Sequence, residues 1–327
     1  MFFKSFSSYL LVLSLPYPLI WALDPVQSVS EIGLGIWVEN LAVRYTGQIL
    51  AASLEPSLYQ IDPAGGPPTV LMNFPPPITG IAGITETLPD VFYLAVGNIS
   101  NRTISASPGT MSVWEVDLNQ WHPDLDPKYF ARKVVDFPEA TMLDGMTTLN
   151  AIEGLILITD PVGGAIWSLN VETGAKQNIQ LPFMKSLDGH IPALGVNGIK
   201  YADGALYCTS TDQQLFVRLP IDALGVPTGS PITIASGFGQ PDDFALDEAN
   251  NAYVAVNANS LVLIQPNGDF RTLAGGDSST ALAGITGAKF GRNKHDQKIL
   301  YVSKTGGSSS YFTGNFLVPG GISKVLI

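Results

Sequence analysis

The sequence predicts an all-β fold, a six-bladed β-propeller closed by pairing of its N- and C-terminal strands. Three observations predict it. Short period-2 runs rich in Val, Ile, Tyr and Trp recur along the chain, bounded by Gly, Pro, Asn and Asp. No long stretch shows helical periodicity. A three-part unit returns at a spacing of roughly 40–65 residues, the signature of a radial repeat. The unit is a polar residue entering a short alternating strand, then a strand of aromatic and β-branched residues, then a third strand ending in a turn.

The units follow in order. Glu39-Asn40-Leu41-Ala42-Val43 leads to residues 48–52 and then to Ser57-Leu58-Tyr59-Gln60-Ile61. Thr79-Gly80-Ile81-Ala82 leads to residues 91–96 and 112–117. Asp144-Gly145-Met146-Thr147 leads to residues 155–159 and 165–170. Asn197-Gly198-Ile199-Lys200 leads to residues 205–210 and 214–219. Asp242-Asp243-Phe244-Ala245 leads to residues 251–256 and 260–264. Ala283-Gly284-Ile285-Thr286 leads to residues 299–303 and 321–326. Four-stranded blades around a channel fit this pattern. Residues 322–327 read as an inner strand of the last blade, and residues 26–32 as its outer strand, closing the ring. A β-sandwich is the competing architecture, but its strands would not carry this phase-locked unit.

Composition agrees. The chain has 327 residues, 46% hydrophobic and only 14% charged, with 33 Gly and 24 Pro for the many turns of a propeller. Lys4, the apolar run 9–20 and Ala22 read as a secretory signal over residues 1–22, leaving residues 23–327 as one propeller domain. That run is short and broken by proline, so stable membrane insertion is not expected. The expected location is the secretory pathway or outside the cell, and the expected state a monomer. A net charge of −11 repels nucleic acid and anionic lipid. Cys208 is the single cysteine, so no internal disulfide can form, and its mid-strand place suits a buried filler. The sequons at Asn98 and Asn101 mark candidate glycosylation sites in one polar loop.

Function on repeat folds gathers in loops on one face. The long insertions are residues 98–110, 117–139, 180–195, 275–280 and 304–313. The residue entering each first strand faces the mouth of the channel: Glu39, Thr79, Asp144, Asn197, Asp242 and Ala283. Convergent oxygens of this kind are what a hard cation such as calcium requires. Glu39, Asn197 and Asp242 are the candidate ligands, with Asp144 a fourth ligand or an acceptor behind them. Asn and Asp before Gly are equally ordinary turn formers.

The turns at Glu39, Asn197-Gly198 and Pro241-Asp242 resemble the metal-binding turns of the SMP-30/gluconolactonase family of six-bladed propellers, over nearly the whole mature chain. The resemblance implies one divalent ion on Glu39, Asn197 and Asp242. In lactonases of that family the ion polarises the lactone carbonyl, and the residue matching Asp242 is the base for water. Two departures stand out. The family's Arg-x-Asn-Asp-Gly is here Thr141-Met142-Leu143-Asp144-Gly145, and its Pro-Asp-Gly is Pro241-Asp242-Asp243. Losing the polar groups that hold a sugar lactone weakens selectivity for one. A more apolar mouth follows, with Trp37, Thr79, Met142, Leu143, Met146, Phe183 and Phe244 as candidate substrate contacts. Ordinary core packing is the alternative for the apolar members of that set.

The runs Trp37-Val38-Glu39-Asn40-Leu41-Ala42-Val43-Arg44 and Leu58-Tyr59-Gln60-Ile61-Asp62-Pro63 are similar to a fungal branch of secreted propellers from natural-product pathways. Some of these are hetero-Diels-Alderases, which join a tropolone quinone methide to a humulene-type terpene. The resemblance implies apolar small-molecule partners and a reaction driven by effective molarity. A donor or cation near the quinone-methide oxygen would assist. A metal-dependent lactonase and a non-catalytic binding propeller are the competing readings. No Gly-x-Ser-x-Gly elbow is present. His122, His190 and His295 share no blade position, which argues against a histidine triad. Asp242, Asp144 and His190, the last in a mouth loop as a proton donor, are the candidate catalytic groups.

Overall fold

A computed structural model describes residues 26–257, 259–307 and 317–327. The signal segment expected over residues 1–22 lies outside the described residues, as does most of the loop expected over 304–313.

Six four-stranded antiparallel sheets stand around one axis. The innermost strands are Val38–Val43, Gly80–Glu86, Met146–Asn150, Val196–Ala202, Gln240–Leu246 and Ile285–Phe290, defining blades one to six. Each packs against the inner strands on either side, so the axial wall is continuous. The strands reach this state because both faces of an inner strand are covered: Val38–Val43 and the following Ile49–Ser53 are buried throughout. Outer strands such as Thr69–Asn73 and Lys176–Ile179 bury one face or less and carry the polar residues.

The ring closes where the terminal strands meet. Val26–Gly33 pairs antiparallel with Gly320–Leu326, Val26 opposite Val325 and Gly33 opposite Gly320. The outer position expected for the N-terminal strand is the one observed. The C-terminal strand is third from the axis rather than an inner one, because Ile285–Phe290 and Ile299–Lys304 take the two places inside it. This closure fastens the last blade to the start of the chain, while each blade keeps one short outer edge.

The core is divided among the seams between blades rather than pooled. One cluster holds Trp37, Phe137, Met142, Leu143, Met146 and Trp167. Others gather Phe183, Met184 and Cys208, or Tyr207, Phe216 and Phe244. Cys208 is fully buried, and its surroundings push the thiol well above its usual range. Trp167 Nε1 and Ser210 Oγ are buried without a hydrogen-bond partner among the described residues, whereas the buried charges of the first seam are paired. Arg44 holds Asp90 with two hydrogen bonds of 3.0 and 2.6 Å, tying the first blade to the second. Among the described residues no helix is long and apolar enough to cross a membrane.

Candidate functional site

A cavity of about 530 Å³ opens at one end of the axis. Glu39, Asp144, Asn197 and Asp242 lie together in its wall. Local backbone geometry explains how. The inner strands of blades one, four and five each carry a β-bulge at this level, between Val38 and Asn40, Val196 and Ile199, and Pro241 and Phe244. A bulge leaves one residue out of the ladder and re-aims its side chain. Here it turns Glu39, Asn197 and Asp242 towards the axis.

Hydroxyls of the preceding blade then hold those bulges in place. Thr159 Oγ1 donates to the Asn197 carbonyl at 2.6 Å, and Thr209 Oγ1 to the Asp242 carbonyl at 2.7 Å. Ser303 Oγ reaches the Glu39 carbonyl at 3.4 Å, and Thr286 Oγ1 reaches the Val38 carbonyl at 2.8 Å. Each hydroxyl reaches from one blade to the next, so each candidate residue is positioned by its neighbour. These residues were not singled out by sequence reasoning. The signal was present, as a Thr or Ser near the end of the second strand in Ile158-Thr159, Cys208-Thr209 and Val302-Ser303.

The glycines after Asp144 and Asn197 have a packing role. Neither lies in the left-handed region. A Cβ on Gly198 would sit 2.7 Å from Asp243 Cα, and one on Gly145 would collide with the Asn197 carbonyl oxygen. Adjacent blades approach too closely for a side chain, so Asp-Gly and Asn-Gly here are strand contacts rather than turn formers.

Below the cavity lies a second polar layer. Lys200 is bonded to Asp243, and Asn40 Nδ2 donates to the other oxygen of that carboxylate at 3.0 Å. Lys200 also sits 5.2 Å from the Phe244 ring centre. The Asp243 charge is thereby compensated, whereas the carboxyls above it are not.

That difference sets the electrostatics. Burial, then the charge of Asp144, raises Glu39 well above the usual carboxyl range, against the lowering effect of the Trp37 indole N–H bonded to Oε2. Burial followed by Glu39 and Asp144 raises Asp242 in the same way. Asp144 is pushed up to about 7 by burial and then by Asp243, with Lys200 opposing. Three carboxyls sharing a desolvated site cannot all ionise cheaply. Near neutral pH this floor is therefore partly or wholly protonated, and it can donate hydrogen bonds.

The rim is mixed: Gln240, Asn257, Asn259 and Asp277 form a polar part of it, and an apolar part carries His190. Trp37, Ile104, Ile191, Leu194 and Leu317 line that apolar part. Ile104 has a left-handed φ of 47°, a strained state for a β-branched residue, in the hairpin Ile99–Ser100/Ser105–Ala106. The sequons lie on the same hairpin, with Asn98 and Asn101 partly exposed and Asn98 Oδ1 accepting from Thr79. His190 Nδ1 lies 3.1 Å from Asp212 Oδ1. Asp212, itself buried, also accepts the backbone N–H groups of Leu187 and Leu194, both at 3.1 Å, and so fixes the loop that carries His190. Asp212 was not foreseen, because only the fold brings residue 212 under residue 190.

Several expectations need correction. Met142, Leu143, Met146, Phe183 and Phe244 do not line the cavity; they fill the seams between blades, each almost completely buried. Met146 and Phe244 lie on inner strands, where the apolar residues beside the axis point into a seam, whereas Phe183 sits in the short helical turn Pro182–Met184 packed between blades three and four. Thr79 also lies off the cavity, bonded to Ile99 O at 2.9 Å, and so does Ala283. Trp37 is the one expected apolar contact that lines the site.

A divalent cation would find Glu39 Oε1, Asp242 and Asn197 Oδ1 here. Asn197 Nδ2 is committed to Thr211 Oγ1 at 3.1 Å, while its oxygen accepts no hydrogen bond among the described residues. Two carboxylates and an amide oxygen suit a hard ion, which would offset the repulsion in the floor. No three Asp, Glu, His or Cys side chains converge on one point among the described residues, so the amide is essential to such a set.

The ring of six blades around an axial cavity is a fold that the chain shares with solved six-bladed propellers. A gluconolactonase from Xanthomonas campestris superimposes with a TM-score of 0.58 at 13% identity, covering 92% of this chain and 89% of that one. Regucalcin from Agrobacterium tumefaciens, described as a calcium-binding protein, gives 0.55 at 13% identity, covering 91% and 95%. Sequence similarity leads to a narrower group. The chain is 28% identical over 295 residues to a Phoma protein named as a hetero-Diels-Alderase, covering 82% of this chain and 83% of that one. It is 29% identical over 323 residues to a Sarocladium schorii protein of the same name, covering 86% and 78%. No family model matches.

Proposed function

We propose that the chain is a hetero-Diels-Alderase-like pericyclase. It joins two apolar small molecules, a tropolone quinone methide and a humulene-type terpene, in the axial cavity. The similarity to proteins named as hetero-Diels-Alderases supports an enzyme of this kind. The observation that carries the reading is a floor of raised carboxyls beside an apolar wall of Trp37, Ile191, Leu194 and Leu317.

The reaction closes one C–C and one C–O bond in a single step and expels nothing, so no nucleophile or covalent intermediate is needed. Two tasks remain for the protein. The first is to hold diene and alkene face to face. Trp37, Ile191, Leu194 and Leu317 offer the apolar wall, and about 530 Å³ falls within the size of small-molecule sites. Effective molarity supplies several kcal/mol of barrier reduction, on the order of 7–11 at best. The second task is to stabilise charge gathering on the quinone-methide oxygen. A protonated Asp144, Glu39 or Asp242 donates to it from a dry site, as neutral carboxylic acids do in other enzymes. His190, held by Asp212, offers a further donor at the rim.

A second reading, a metal-dependent lactonase or esterase, is favoured by the free Asn197 oxygen between two carboxylates. A calcium-like ion held by Glu39, Asn197 and Asp242 would supply Lewis-acid polarisation of a lactone carbonyl. Asp242 would then orient or deprotonate water.

Incubating purified protein with the two partners, with and without chelator, tests the first reading. A single-enantiomer adduct that survives chelation and is lost in Trp37→Ala is expected. Loss of all turnover on metal stripping counts against it. Lactone hydrolysis abolished in Asp242→Asn would favour the second reading, and affinity without any product would leave a binding propeller.

A further inference from the structure

The opposite end of the axis carries a second cavity of about 580 Å³ that neither reading uses. It lies past the Lys200–Asp243 layer, where the inner strands end. From the residues that meet there we propose that it binds a small monocarboxylate with a hydrocarbon body, the carboxylate on Lys289.

The charge pattern selects an anion. Three cations line the cavity, Lys200, Lys289 and Arg292. Lys200 is bonded to Asp243. Arg292 is bonded to Glu86 and donates to the Val43 carbonyl at 3.0 Å. Lys289 has no hydrogen-bond or ion-pair partner among the described residues, although it lies recessed in the wall. The acids facing it are otherwise engaged or peripheral. Asp247 accepts from Asn251 at 2.8 Å and Ala249 at 2.9 Å in its own turn, and Glu248 is exposed at the rim. The Lys289 cross-strand partner is Tyr301, whose hydroxyl donates to Asp296. Arg44, at the end of the neighbouring inner strand, is turned to Asp90.

One uncompensated ammonium suits one negative charge better than two. Donors stand near it. Tyr201 lines the same cavity with a phenol bonded to no described residue. The Thr147 oxygen accepts the Tyr201 backbone N–H at 3.2 Å, which leaves its own hydrogen free to donate. Ala42, Val43, Ile84, Leu246 and Phe290 form an apolar part of the wall, which calls for an apolar body behind the carboxylate.

Burial first, and then the nearby Lys200 and Arg292 charges, draw the Lys289 ammonium down to about 8, with Asp243 and Glu86 opposing. A bound carboxylate reverses that. Affinity is therefore full below about pH 8 and falls as the pH rises through it.

Calorimetric titration of the full chain with benzoate, benzyl alcohol and inorganic phosphate tests the proposal. Benzoate should bind at pH 6.5 and lose at least tenfold in affinity at pH 9.5. Lys289→Met should lose a similar factor, and Lys289→Arg should keep most of the affinity. Benzyl alcohol, which has the same ring without the charge, should bind at least tenfold more weakly than benzoate. Equal binding of benzyl alcohol, preference for phosphate, or undiminished benzoate affinity in Lys289→Met overturns the proposal, and so does no binding of benzoate at pH 6.5. NMR of wild-type protein carrying 13C-labelled lysine needs no variant. One lysine should titrate near pH 8 and move upward with benzoate, and a spectrum in which no such lysine responds also overturns it.

Discussion

Replacing Asp144 by Asn isolates the electrostatic cost of the acidic floor. The folded carboxyl titrates near 7, against an ordinary value of 3.8. The folded chain therefore holds this proton more tightly than the unfolded chain does. Its contribution favours folding below about pH 4, is lost progressively between about 4 and 7, and is absent above. A difference of about three pKa units corresponds to about 4 kcal/mol at pH 8. Asn keeps the shape and cannot ionise, so Asp144→Asn should match wild type near pH 4 and exceed it by about 4 kcal/mol at pH 8. For a chain of 327 residues that is a rise in Tm of roughly 6 °C. Thermal unfolding followed by circular dichroism from pH 4 to 8, in chelator, measures it. A Tm difference that stays constant across that range would refute the argument, and so would a variant less stable than wild type at pH 8. Calcium added back should raise wild type and narrow the gap if Glu39, Asn197 and Asp242 take up the ion.

Three further perturbations test how the axis is held. Lys200→Met leaves Asp243 buried with only Asn40 and the Phe244 backbone N–H to hold its charge, and should lower the unfolding free energy by about 3–5 kcal/mol in urea titrations. Gly198→Ala pushes a methyl against Asp243 Cα, and should cost about 1–3 kcal/mol and disturb the Asn197 bulge, read as reduced turnover at an intact folding midpoint slope. Asp212→Ala removes the acceptor for Leu187, Leu194 and His190; limited proteolysis should then cut residues 185–194 several-fold faster while the blades stay intact.

The cavity was legible as far as repeat phase could carry it. Glu39, Asp144, Asn197 and Asp242 share one position in a repeating unit and meet at the axis, while Thr79 and Ala283, assigned the same position, precede their inner strands and lie off the cavity. Side-chain direction was not legible, because one extra residue in a strand swaps the face that a side chain occupies. That is why Met146 and Phe244 read as cavity wall and turned out to be seam packing; Met142, Leu143 and Phe183 lie outside the strands, where repeat phase carries no direction at all. The same limit hid Asp212, which meets His190 only through the fold of residues 185–194.

Alternation, turn residues and the sixfold period by themselves determined the propeller, its closure by terminal strands and the acidic identity of its mouth, since these follow from local pattern and repetition. Which carboxyls stay protonated, which hydroxyl from the next blade fixes each bulge, and which lysine is left without a counter-charge were decided only in the tertiary structure. Those properties depend on burial and on distances across blade seams, and neither is set by separation along the chain.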